Sequence, residues 1–87
     1  MARYNIRIKA TAAKEIEAIE PTKIRRQIVD RIRALADDPR PHGCEKLSGQ
    51  LKRYRVRQGV YRIVYSVEDD ELIVFVVKVG HRRKIYR

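Results

Sequence analysis

Tryptophan is missing from this chain, and cysteine, methionine and phenylalanine each occur once in 87 residues. The single cysteine, Cys44, excludes an internal disulfide and is compatible with a reducing compartment. Cys44, His42 and His81 are too few and too scattered for a zinc site, and neither a metal nor a cofactor is expected, a magnesium ion held by carboxylates being the alternative the sequence leaves open. Low-complexity tracts are lacking too, which argues against disorder. No stretch approaches the roughly eighteen apolar residues of a membrane helix, and the opening MARYNIRIKA lacks the apolar core of a secretory signal. A cytoplasmic protein without a membrane partner is expected. Acidic residues are scarce beside basic ones: 11 Asp and Glu against 21 Lys and Arg leave a net charge of +10 and a pI near 10.3. A surplus that large on so small a body favours a polyanionic partner: nucleic acid, an anionic membrane surface or an acidic protein.

What is present is enough for one domain over residues 1–87, since a second core could not be built from so short a chain. Tyr4, Ile6 and Ile8 alternate with Arg3, Asn5, Arg7 and Lys9, the period of a half-buried strand. Thr11 is the expected N-cap of a first helix that turns Ile16 and Ile19 to the core. Pro21 fits the first turn of a second helix. There Ile24, Ile28, Ile32 and Leu35 recur at helical spacing, with Lys23, Arg25, Arg26, Asp30, Arg31 and Arg33 outward. The run Asp38-Pro39-Arg40-Pro41-His42-Gly43 stops that helix. A polar connector with Leu47 and Leu51 leads into a strand over 53–57, and a second strand is expected over 60–67. Glu68-Asp69-Asp70-Glu71 reads as an acidic turn. Leu72 to Val79 reads as a central strand buried on both faces, ended by Gly80. The fold class is α+β in the order β-α-α-β-β-β: an N-terminal helical hairpin on one face of a mostly antiparallel four-stranded sheet.

The chemistry concentrates in the hairpin and tail. Arg53, Arg55 and Arg57 share one face of their strand because side chains alternate with period two. Arg62 interrupts the apolar run VYRIVY. If the turn is Gln58-Gly59 or Gly59-Val60, Arg62 falls on the same face, across from Arg55 or Arg57. Like charges opposite each other in a sheet are unfavourable, and a bound anion would relieve them. The tail adds His81, Arg82, Arg83, Lys84, Tyr86 and Arg87. Residues 52–87 carry 10 basic and 4 acidic side chains, a net +6, whereas the first 51 carry +4. Arginine grips phosphate with a planar fork of donors, and tyrosines in a basic surface suit single-stranded RNA. The plainer alternatives are a solvated arginine face, an ion pair of Arg62 with Glu68 or another carboxylate, Tyr54, Tyr61 and Tyr65 as core or rim aromatics, His42 as a loop residue and Cys44 as a small packing residue.

The pattern Tyr54-Arg-Val-Arg-Gln-Gly-Val-Tyr61-Arg62-Ile-Val-Tyr65, together with Val79-Gly80-His81-Arg82-Arg83-Lys84-Ile85-Tyr86-Arg87, resembles the RelE/ParE toxin superfamily. The connector residues Pro41, Lys46, Leu47 and Gly49 extend the resemblance over the whole chain. A RelE-type toxin of a type II toxin–antitoxin system is what it implies: an endonuclease that enters the ribosomal A site and cuts messenger RNA. The 2′-hydroxyl attacks the adjacent phosphate without a metal, leaving a 2′,3′-cyclic phosphate. Carried onto this sequence, the catalytic residues are Arg55, Arg57, Arg62, Arg82 and Tyr86. Arg53, Arg83, Lys84 and Arg87 are added as RNA contacts. The implied partners are the ribosome, its messenger RNA and a cognate acidic antitoxin.

This sequence departs from the family at two positions, Arg55 and Arg57, where the best-known members have lysine. Arginine stays protonated and neither gives nor takes a proton readily. His81 stands where other members carry a basic residue, titrates near neutrality and is a candidate acid. Two other readings compete. A ParE-like toxin would share the fold and inhibit DNA gyrase without nuclease residues, and a binding-only RNA or DNA module would need little beyond the charge.

Overall fold

The computed structural model describes residues 3–49 and 52–85. In chain order the elements are β1 (Asn5–Ile8), α1 (Ala10–Glu17), α2 (Thr22–Ala34), β2 (Glu45–Lys46), β3 (Arg53–Gln58), β4 (Tyr61–Glu68) and β5 (Ile73–His81). The strands form one sheet in the order β1-β5-β4-β3-β2. It has five strands rather than the expected four, because the two-residue β2 pairs antiparallel with β3. The remaining pairs are antiparallel except β1 with β5, which run parallel with Asn5 opposite Ile73 and Ile8 opposite Val76.

The helical hairpin covers one face of the sheet, as the periodicity indicates. Ala12 and Ile16 of α1, Ile19 after it, and Ile28, Ile32 and Leu35 along α2 are buried. They meet Val56, Ile63, Tyr65, Val67, Val74, Val76 and Val79 of the sheet. Fully buried residues such as Ile28 and Ile63 each contribute roughly 1.5–3 kcal/mol by leaving water. Arg31 and Arg33 lie in the last turn of α2, where a cation suits the helix dipole.

Three local expectations are corrected. Thr11 is not the cap of α1: the helix begins at Ala10, with Lys9 at the N-cap and no side-chain capping bond. The ladder explains this, because the Lys9 N–H donates to Val76 O at 2.9 Å while the Lys9 carbonyl already accepts from Ala13. The chain therefore leaves the sheet directly into a helix. Pro21 takes the N-cap position of α2 rather than its first helical residue.

The third correction is β5, which runs through Gly80 to His81 and is not buried on both faces. Val74, Val76 and Val79 are buried, whereas Phe75 is 36% exposed. A bulge accounts for the nearly all-apolar run. Val64 pairs with Lys78 and Tyr65 with Val76, so Val77 is an extra residue that resets which side chains face the helices. Beyond the end of β1, the Val79 N–H donates instead to Glu15 Oε1 of α1 at 3.1 Å.

Among the described residues no helix is long and apolar enough to cross a membrane. A polar knot fixes the loop after α2 to the sheet. Arg40 donates to both oxygens of Asp69 at 3.2 and 2.6 Å and to Tyr54 Oη at 3.2 Å, and Tyr4 Oη donates to Asp69 at 2.6 Å. These bonds hold the Asp69 carboxyl below the usual carboxylate range. The Tyr65 ring stacks on Tyr54 with centroids 6.0 Å apart, and its hydroxyl donates to the Pro39 carbonyl at 2.7 Å. Burial pushes the Tyr65 hydroxyl up. Tyr65 is a core residue, while Tyr54 and Tyr61 pack half-buried against the core.

Candidate nucleic-acid interface

The face of the sheet away from the helices carries the arginines, and backbone register puts them there. Gln58 pairs with Tyr61, leaving a two-residue turn of Gly59 and Val60. Gly59 has φ +60°, which glycine adopts without penalty. The second of the two expected turns is thus the one formed. Arg57 then stands directly across from Arg62, Arg55 across from Val64 and Arg53 across from Ser66.

Two guanidinium groups side by side repel, and the chain supplies its own compensation. Glu45 of β2 pairs in register with Arg55, so it shares this face. Its carboxylate accepts a short hydrogen bond from Arg55 Nη2 and lies 3.6 Å from Arg57 Nη2. Arg62 donates to the carbonyls of Gly59 at 3.1 Å and Tyr61 at 2.9 Å, so its head group is turned toward the hairpin tip. The Arg55 side chain is 15% exposed and that of Arg57 62% exposed. Arg55 is held within the surface, and Arg57 offers its head group to solvent. Glu68 does not pair with Arg62; it binds Lys52 Nζ at 3.1 Å.

The tail folds back onto this corner. The Arg82 N–H donates to Val60 O at 2.7 Å, tying the tail to the hairpin tip. The N–H groups of Lys84 and Ile85 both reach His81 O, which makes a tight turn. Ile85 is 3% exposed and anchors a segment whose composition suggests mobility. Gly80, across from Arg62 in the register, makes room for it: a Cβ there would lie 3.2 Å from Ile85 Cδ1. Ile85 thus rests on the arginine face, and Arg82, Arg83 and Lys84 are exposed around it.

His81 stands apart from the cluster. It pairs with Tyr61 on the helix-facing side of the sheet end, its ring edge-on to Tyr61 with centroids 6.0 Å apart. Its Nδ1 accepts the Arg83 N–H at 3.2 Å. The sites assigned to Tyr86 and Arg87, like Leu51 of the connector, lie outside the described residues. Sequence reasoning missed Glu45, because a two-residue strand has no periodicity to read; only the cross-strand register reveals the carboxylate beneath Arg55. Among the described residues, no three His, Cys, Asp or Glu side chains come together as a metal-binding group.

A helical hairpin thus covers one face of a small sheet, and the open face carries the crowded arginines. Residues 6–86 match the family model described as the ParE toxin of type II toxin–antitoxin systems. The chain is 31% identical over 83 residues to the mRNA interferase toxin RelE of Escherichia coli K12, covering 93% of this chain and 85% of that protein. Two solved structures superpose with a TM-score of 0.82 and 26% identity: the archaeal RelE–RelB complex from Pyrococcus horikoshii and the toxin–antitoxin complex RelBE2 from Mycobacterium tuberculosis. The former match covers 97% of this chain and 99% of the other, the latter 94% of each. The chain belongs to the ParE/RelE family of type II toxins and is a toxin of the RelE type.

Proposed function

We propose that this toxin is a messenger-RNA endonuclease that works in the ribosomal A site and is silenced by an acidic antitoxin. The observation that carries the reading is the direct pairing of Arg57 with Arg62 on an open sheet face, bracketed by Arg55 and by the tail at Arg82. The attack of a 2′-hydroxyl on its neighbouring phosphate builds charge on the phosphate oxygens. Fixed guanidinium groups stabilise that charge without reorganising. Arg57 and Arg62 take the scissile phosphate; Arg55, steadied by Glu45, and Arg82 flank it. Arg53, Arg83, Lys84 and Arg87 hold neighbouring phosphates.

Arginines do not move protons readily. Tyr86 is assigned to take the 2′-hydroxyl proton or to stack on a base. His81 donates to the leaving oxygen once the turn 81–85 shifts, since its ring packs beside Tyr61 on the far side of the sheet. Among the described residues the carboxylate against the arginines, Glu45, is tied up in ion pairs with Arg55 and Arg57, and the chain depends on the ribosome to position the substrate. The charge of +10 suits an acidic antitoxin. The antitoxin-bound state of both superposed relatives supports such a partner here.

The test is single-turnover cleavage of messenger RNA on programmed ribosomes against the same RNA alone. Wild type is expected to cut on ribosomes and hardly at all on naked RNA, and Arg62→Ala to abolish cutting with the fold intact. Equal rates with and without ribosomes would overturn the proposal. Tyr86→Phe separates the two roles of that residue: a loss of roughly 10²–10⁴-fold marks proton transfer, and an unchanged rate marks stacking. The ParE description of the matching family model favours a second reading, DNA gyrase inhibition. Inhibited supercoiling together with intact messenger RNA would select it.

A further inference from the structure

The arginine face carries a second row, four residues along the strands from the first. Arg53 on β3 pairs with Ser66 on β4, Ser66 with Phe75 on β5, and Phe75 with Arg7 on β1. A line across four strands therefore reads arginine, hydroxyl, aromatic ring, arginine. Phe75 is the only phenylalanine of the chain, and it is 36% exposed while its neighbours Val74 and Val76 are completely buried. Arg7, Ser66, Glu68, Ile73 and Phe75 line a shallow groove there. The one acid in that groove, Glu68, is neutralised by Lys52 at 3.1 Å. The side chains of Arg7 and Arg53 have no ion-pair partner among the described residues.

Nothing among the described residues uses this ring. It faces away from the helical hairpin, so it adds nothing to the core, and an exposed phenylalanine has no polar group to hydrate. An aromatic face between two guanidinium groups is instead suited to a nucleic-acid base: the ring stacks on it, the cations hold the phosphates on either side, and a hydroxyl can give or take a hydrogen bond at the base edge. Four residues of strand separate this row from the Arg57–Arg62 pair, about 13 Å. A single strand gripped at the pair can therefore run on to it along the open face, past Lys78, which the register puts between the two rows.

We propose that Phe75, with Arg7, Ser66 and Arg53, forms a second nucleotide subsite that stacks a base of single-stranded RNA away from the scissile phosphate. This rests on the reading of the face as an RNA surface. The subsite contributes affinity and tolerates any base, since stacking needs only a π-face.

The experiment uses the full chain and a fluorescein-labelled 2′-O-methyl oligoribonucleotide, which cannot be cut, with binding read by anisotropy. Single-turnover cleavage on programmed ribosomes runs in parallel. Phe75→Leu keeps the apolar bulk and loses the ring; it is expected to weaken oligonucleotide binding roughly 5- to 100-fold, with the cleavage rate at saturating toxin close to wild type. Phe75→Tyr is expected to restore binding. Wild-type affinity in Phe75→Leu would overturn the subsite. So would a Phe75→Leu chain that keeps its RNA affinity but no longer binds the antitoxin, or that turns from dimer to monomer in sedimentation; either would give the ring to a protein partner. A wild-type chain that never cuts, yet binds the oligonucleotide through Phe75, would refute the nuclease reading and leave the subsite standing.

Discussion

Replacing Glu45 by glutamine is expected to move stability and RNA affinity in opposite directions. In the folded protein the Glu45 carboxylate binds Arg55 and lies 3.6 Å from Arg57. Its own side chain is 55% exposed, so water screens the pair. An exposed ion pair contributes about 0.2–1 kcal/mol, and a hydrogen bond to a charged group about 1.5–3 kcal/mol. With half of the carboxylate in water, the loss on forming Glu45→Gln comes to about 1 kcal/mol. That is a fall in Tm of roughly 4–8 °C for a domain of this size.

The same change removes an anion that competes with phosphate for Arg55 and Arg57. Repulsion of two charges about 4 Å apart near a protein surface is worth about 1–4 kcal/mol before screening. A discounted 1 kcal/mol corresponds to roughly fivefold tighter RNA binding. One more uncompensated cation also steepens the dependence of log affinity on log salt by about 0.7 for a single strand. Calorimetry measures the first effect, and anisotropy with the uncleavable oligonucleotide across a salt series measures the second. Weaker RNA binding by Glu45→Gln, with a flatter salt slope, would refute the idea that Glu45 stands in for phosphate. Its role would then be to aim the arginines.

Three further outcomes follow from the packing. Tyr65→Phe keeps the stacked ring but leaves the buried Pro39 carbonyl without its donor, so urea denaturation should show a loss of about 1–3 kcal/mol at an unchanged m-value. Gly80→Ala drives a methyl against Ile85 Cδ1 and should cost about 1–3 kcal/mol. Adding Ile85→Val, which removes that δ-methyl, should give a double variant more stable than the sum of its parts predicts. Asp69 is held below its ordinary value by Arg40 and then Tyr4, so the unfolded chain takes up the proton first as pH falls. Its contribution is complete above the usual carboxylate range and disappears as pH drops through the lowered folded value. Stability curves of Asp69→Asn should be flatter over that acid window, and parallel curves would contradict the coupling.

Local pattern reveals most of the elements and little of their partnership. The alternation in 53–57 and the helical spacing of Ile24, Ile28, Ile32 and Leu35 reflect periods that short-range geometry imposes, and those elements form where expected. The pairing of β1 with β5 joins Asn5 to Ile73, a register that no local window contains. The bulge at Val77 hides in the same way: a run of valines looks buried throughout until the ladder shows which of them is extra. The arginine face is legible because the period of two sorts neighbouring side chains onto opposite faces by local geometry alone. Its depth is not, since Glu45 and Phe75 reach that face only through strands whose register is set from across the sheet.

The β1–β5 ladder also governs when this toxin comes into existence. The residues of the helices and of the β3–β4 hairpin are all synthesised before Ile73 is added, yet until then β1 has no partner and the apolar stripe of α2 lacks β5. Contacts so distant along the chain form late and slowly. Synthesis that stops short of β5 therefore yields a sticky, unpaired polypeptide for chaperones and proteases, not a fragment with arginines in line. The last strand is thus a built-in delay: the chain must be finished and let go before its arginines are assembled on one face.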